Sequence, residues 1–146
     1  MTSLPQRHAS AKHAAREVAH TRPNGLSDVS ISALGKLSEA LEIVEHARGC
    51  LYEFHRLSGT ADLTLQQAVS ELREAGHGEL ADEIRECLVG RDVIDDKWTF
   101  QLIESYDRQY WQVFRDVECT ARARLGDAPP HVFEAEMKRH EQQTHG

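Results

Sequence analysis

The sequence predicts an all-α protein, a helical bundle of two long helices and a shorter antiparallel helix pair. Three observations predict it. The stretch WTFQLIESYDRQYWQVFRDVECTARARL, from Trp98 to Leu125, runs without a Gly or Pro and carries apolar residues at helical spacing. The stretch from Val29 to Leu57 is apolar on two sides of a helical projection. No segment shows the strict alternation of a half-buried strand.

A chain of 146 residues suits one domain that buries a core without disulfides. Charged residues at 28% and hydrophobic residues at 40% are those of a soluble globular protein. No apolar run approaches the roughly 18 residues that cross a bilayer, and the first residues lack an apolar signal region, so neither a membrane partner nor a secretory signal is expected. Cys50, Cys87 and Cys119 are odd in number and lack C-x-x-C spacing. That speaks against a disulfide framework or a zinc knuckle and points to a reducing, cytoplasmic setting. The net charge is −7; up to Leu26 the chain carries Arg7, Lys12, Arg16 and Arg22 against Glu17 alone, so the remainder is more acidic still. Such a body repels phosphate backbones and offers no basic patch, so no nucleic-acid partner is expected.

Residues 1–26 read as a disordered or loosely helical basic arm. Ala9 to His20 has helix propensity from its alanines but no apolar stripe to dock, and Pro5, Pro23 and Asn24-Gly25 punctuate the arm. His8, His13 and His20 read as incidental, since a metal site there would have to be organised on binding.

The bundle domain, residues 27–126, opens with a helix from Val29 to Leu57, capped by Ser27 or Asp28 and ended by Ser58-Gly59. Leu34, Leu37, Leu41, Val44, Leu51 and Tyr52 share one face; Ala40, Ile43, Ala47, Cys50 and Phe54 lie nearly opposite. A helix apolar on two sides is central in its domain or packs across a dimer interface, and a homodimer through the second face is the expectation. Glu45, Arg48 and His55 project close to the first face, where charges must pair or line a cavity; Glu45 and Arg48 are spaced to pair.

Thr60 or Asp62 caps the next helix, through Leu65, Ala68, Val69, Leu72 and Ala75, and Gly76-His77-Gly78 breaks it. Its mate runs from Glu79 to Val89, with Gly90 as the stop. Asp95 or Asp96 then caps the aromatic helix. On it Thr99, Leu102, Ile103, Tyr106, Tyr110, Val113, Phe114, Val117 and Ala121 share a face at about 100° per residue, widened by Phe100 and Trp111. Aromatic side chains bury roughly 150–250 Å² each, so other helices must cover this element. Residues 127–146 form a C-terminal tail. Pro129-Pro130 interrupts regular structure, Phe133 to His140 form a short helix docked through Val132, Phe133 and Met137, and the end beyond Gln142 frays.

No phosphate-binding loop, dinucleotide fingerprint, nucleophile elbow or H-E-x-x-H zinc motif is present. Asp92, Asp95 and Asp96 lack calcium-loop spacing; Glu42, Glu45 and His46, and Glu53 with His55, lack the Glu-x-x-His spacing of a di-iron bundle, and no histidine lies between Trp98 and Leu125. Carboxylates three apart do stand on both long helices: Glu42 with Glu45, and Glu104 with Asp107. Four such groups converging from two helices would suit a hard cation, Mg²⁺ or Mn²⁺. At these four positions the chain resembles the EExxE…ExxD signature of the MazG and dUTPase type of all-α nucleoside triphosphate pyrophosphohydrolases. It departs in having Leu41 in place of the first Glu, a longer separation of the two halves, and no adjacent phosphate clamp. The resemblance implies a divalent-metal hydrolase of a phosphorylated small molecule. Over GKLSEALEIVEHARGCLYEFH and LVGRDVIDDKWTFQLIESYDRQYW the chain is also similar to small helical proteins of unknown function from high-GC Gram-positive bacteria, which implies a fold and a cytoplasmic setting and no activity. Two readings therefore stand: a helical-bundle protein acting through protein–protein contact, and a Mg²⁺/Mn²⁺-dependent hydrolase using Glu42, Glu45, Glu104 and Asp107.

Overall fold

The computed structural model describes residues 20–144. Their regular structure is helical, with one isolated bridge between Ile94 and Lys97. The elements are α1 (Asp28–Glu74), α2 (Gly78–Leu88), α3 (Thr99–Tyr106), a π-helical turn (Asp107–Trp111), α4 (Gln112–Arg124) and α5 (Val132–Thr144). The chain divides into two compact units. One is Ile43–Val113; the other comprises the chain up to Glu42 together with that from Phe114 onward.

α1 starts as expected. Ser27 Oγ accepts the Ser30 N–H at 3.1 Å, satisfying one of the orphan donors of the first turn. The helix does not end at Ser58-Gly59, where the sequence reading places its exit; it continues to Glu74. The hydroxyls that looked like caps bond backward instead. Ser58 donates to the Phe54 carbonyl and Thr60 to the Arg56 carbonyl, and both bonds are compatible with an unbroken helix. Gly59 costs helix propensity but is not a terminator unless its backbone turns left-handed, and here it does not. The left-handed glycine is Gly76, with φ +87°. His77 N–H reaches the Leu72 carbonyl at 2.8 Å and Gly76 N–H reaches Arg73 at 3.0 Å, the paired bonds of a Schellman termination.

Within the Ile43–Val113 unit, α2 folds back after that turn so that Asp62 meets Gly90 and Arg73 meets Asp82. Asp62, expected to cap a helix of its own, lies inside α1 and accepts the Gly90 N–H at 2.9 Å and Gln66 Nε2 at 2.7 Å. These two bonds hold its carboxyl below the usual carboxylate range, the backbone N–H contributing most. Neither Asp95 nor Asp96 caps α3. Asp96 sits at φ +60° in the Ile94–Lys97 turn, and the first residue of the helix is preceded by Trp98, whose N–H is taken by Gln101 Oε1 at 2.9 Å. Val44, Val69, Ala81 and Ile103 are the buried apolar side chains of this unit.

The aromatic stretch is helical almost throughout, but its burial does not follow a single 100° projection. Up to the π turn it does: Ile103 is buried and Leu102 and Tyr106 are half-buried. Beyond it Tyr110, Val113 and Val117 are each about half exposed, while Trp111, Phe114, Glu118 and Arg122 turn inward. A π turn accommodates one residue more than an α turn, so every later side chain is rotated by about 100° and the inward set moves on by one position.

In the other unit Ile31, Ala128 and Val132 are buried, and Phe133 packs over Gly35. α5 is longer than the expected Phe133–His140, running to Thr144, so the described part of the tail beyond Gln142 is helical. Part of the predicted arm is also held. Arg22 bonds Glu136 through Nε and Nη2 at 2.9 and 2.7 Å and Asp28 through Nη1 at 2.6 Å, while Arg139 Nη2 donates to the His20 carbonyl at 3.1 Å. The Ala9–His20 helix and His8 and His13 lie outside the described residues, apart from His20 itself.

Candidate functional site

The Ile43–Val113 unit concentrates two features, a polar clamp around Arg48 and an apolar stripe on α1. The clamp begins with Arg48, projected toward the apolar face of α1 and therefore in need of compensation. The π turn supplies it from both of its ends. Asp107, its first residue, accepts Arg48 Nε at 2.7 Å and Nη2 at 3.0 Å, a bidentate pair. Trp111, its last residue, places its ring 4.1 Å from the guanidinium carbon, and Tyr52 places its ring 5.1 Å away from the same α1 surface. Each cation–π contact contributes roughly 0.5–2 kcal/mol at such partly shielded sites.

The clamp sets the protonation states. The Arg48 hydrogen bonds hold the Asp107 carboxyl below the usual carboxylate range, against a smaller opposing effect of burial. The Arg48 guanidinium is raised in turn, chiefly by Asp107. Tyr106, next to the clamp, is pushed up, first by burial and then by the nearby Tyr110 and Asp107. Tyr106 also lines an open groove of about 360 Å³ with Leu51, Leu102, Ser105, Gln109 and Tyr110. His55 Nδ1 and Thr99 Oγ1 share a hydrogen bond of 2.6 Å, tying the start of α3 to α1.

The four carboxylates picked out as metal ligands have different surroundings. Asp107 is engaged by Arg48; Glu45 and Glu104 are exposed in the same unit; Glu42 is exposed at the end of the other unit. Among the described residues no group of three or more His, Cys, Asp or Glu is arranged to hold a metal ion. The Glu45–Arg48 pair expected from spacing is replaced by Asp107–Arg48, because the bidentate fork of Asp107 satisfies two donors of the guanidinium where an exposed (i, i+3) partner offers little.

The stripe carries no polar chemistry. Ile43, Ala47, Cys50 and Phe54 are all solvent-exposed, Ile43 at 64%, and Leu57, 58% exposed, lies on the same side. None of the three cysteines is disulfide-bonded, and all are exposed.

One polar cluster escaped sequence reasoning. Glu118 of α4 is buried, paired with Arg122 one turn later, and accepts the Ser38 hydroxyl at 2.8 Å. Its i, i+4 spacing to Arg122 was visible, but the uncorrected helical projection placed the neighbouring Val117 inward instead. No helix among the described residues is long and apolar enough to cross a membrane. No family model, no curated protein and no solved structure matches this chain.

Proposed function

We propose that this helical-bundle protein acts through protein–protein contact, and that the contact is made as a homodimer by the Ile43, Ala47, Cys50 and Phe54 face of α1. The observation that supports it is the exposure of that whole face, continued by Leu57, on a helix whose other side carries the buried Val44. Contiguous exposed apolar surface on one helix side is the usual mark of an interaction site, because water penalises it until a partner covers it. The three free exposed cysteines fit a cytoplasmic, reducing compartment. Divalent-metal chemistry at Glu42, Glu45, Glu104 and Asp107 would require Asp107 to leave Arg48, and no feature of the clamp favours that.

Light scattering of the full chain at high micromolar concentration tests the proposal. A dimer mass is expected, falling to monomer in the Phe54→Glu, Ala47→Glu double variant, whose far-UV circular dichroism stays helical. A wild-type monomer at that concentration overturns the dimer.

A further inference from the structure

We infer that two copies of α1 pack antiparallel across a heptad seam that runs from Ile43 to Ala68, with Phe54 of each copy seated on Leu57 of the other. This rests on the self-association just proposed and specifies its geometry. The seam exists only because α1 passes through Ser58-Gly59 without a break. Ile43, Ala47, Cys50, Phe54, Leu57, Ala61, Thr64 and Ala68 are separated alternately by four and three residues, the 3.5-residue period of a coiled coil, and every one of them is exposed. The run spans about 39 Å at 1.5 Å per residue and nearly four heptads, the length at which such a period specifies a helical partner.

The order of sizes along the seam chooses the orientation. Two helices keep a separation of about 8–10 Å along their contact, so facing residues should have similar summed volume from layer to layer. A parallel pair sets each residue against itself: Phe54 on Phe54 and Ile43 on Ile43, but Ala47, Ala61 and Ala68 each on alanine. Its layers alternate between overfilled and hollow. An antiparallel pair sets Ile43 against Ala68, Ala47 against Thr64, Cys50 against Ala61, and Phe54 against Leu57. Large then meets small outside the centre, and the two bulky residues fill the two central layers. The flanking positions bring His46 opposite Gln67 and Glu53 opposite Thr60, with no like charges facing. A second copy therefore satisfies this surface with its own surface, as a two-fold interface requires. Ile43, Phe54 and Leu57 are 64%, 38% and 58% exposed. Together with five small residues and the polar flank they offer a partner on the order of several hundred Å² per copy, short of the roughly 800 Å² a side of a standard specific interface, so a concentration-dependent dimer is expected.

Cysteine cross-linking of the full chain with Cys87→Ser and Cys119→Ser tests the orientation, with light scattering on the same samples. Disulfides form only where Cα atoms come within about 7 Å, and Cys50 and residue 61 of one helix are too far apart to join within a chain. Under mild diamide oxidation, adding Ala61→Cys should raise the covalent dimer at least tenfold over the protein with Cys50 alone. Ala61→Cys in a Cys50→Ala background should give as little as Cys50 alone. Strong cross-linking by either single cysteine overturns the antiparallel pair in favour of the parallel one. A non-covalent dimer that cross-links in no variant overturns the seam, and a monomer at every concentration removes the self-association on which it rests.

Discussion

Arg48 and Asp107 hold each other through a forked pair, both about a quarter exposed, with the Trp111 ring closing one side of the guanidinium. Removing one charge leaves the other partly buried without compensation, so the cost exceeds that of breaking a surface ion pair. Asp107→Asn is expected to lower stability by about 1–3 kcal/mol in urea denaturation. Glu45→Gln touches no ion pair of the clamp and is expected to stay within about 0.5 kcal/mol of the parent. The reverse ranking would show that Glu45, not Asp107, is the partner of Arg48. A melt unmoved by millimolar Mn²⁺ in the parent and in Asp107→Asn fits the clamp; stabilisation of the parent alone would restore the metal reading, because a ligand bound only by the native state raises its stability by mass action.

At the scale of elements, glycines report which turns are real. Gly59 is helical with nothing within 4 Å of an added Cβ, so Gly59→Ala should stabilise by about 0.5–1 kcal/mol. If α1 ended at Gly59 in a left-handed turn, the same change would destabilise. Gly35→Ala should gain less than Gly59→Ala, since its Cβ would stand 3.1 Å from Phe133 Cβ and offset the propensity gain, and Gly76→Ala should destabilise through its φ of +87°. Paired thermal melts of the three variants check this ordering. These same places mark what could be read from the chain. The helical class, the stops at Gly76 and Gly90 and the Ser27 cap were legible because each rests on local chemistry. The continuity through Ser58-Gly59 was not, since a serine–glycine pair serves equally as an exit or as a helix interior. The π turn was invisible to any fixed period, and with it the inward turn of Glu118 and the meeting of Asp107, Trp111 and Arg48. The exposed face of α1 was legible as far as Phe54; Leu57 stood at the end of the expected helix, and the expected exit at Ser58-Gly59 cut off Ala61, Thr64 and Ala68.

Across the molecule, three carboxyls among the described residues are held low by two devices: Asp107 and Glu136 by an arginine, Arg48 and Arg22 respectively, and Asp62 by the Gly90 N–H and Gln66. A depressed carboxyl binds its proton less readily in the folded chain than in the unfolded one, so the unfolded state holds more protons in acid and stability rises with pH there. Each contribution is complete above the ordinary carboxyl value of about 4 and is lost as pH falls through the depressed folded value. The sign is opposite for Tyr106. Its folded value is raised, so its contribution is complete below about 10, the ordinary tyrosine value, and is lost as pH climbs through the higher folded one. Arg22 and Arg48 are raised too, beyond any working pH, and add no slope. Urea midpoints should therefore fall below about pH 4 and fall again above about pH 10. Asp107→Asn should flatten the acid limb without removing it, because Glu136 and Asp62 remain; Tyr106→Phe should flatten the alkaline limb alone. Stability that increased on acidification below pH 4 would contradict all three carboxyl assignments at once.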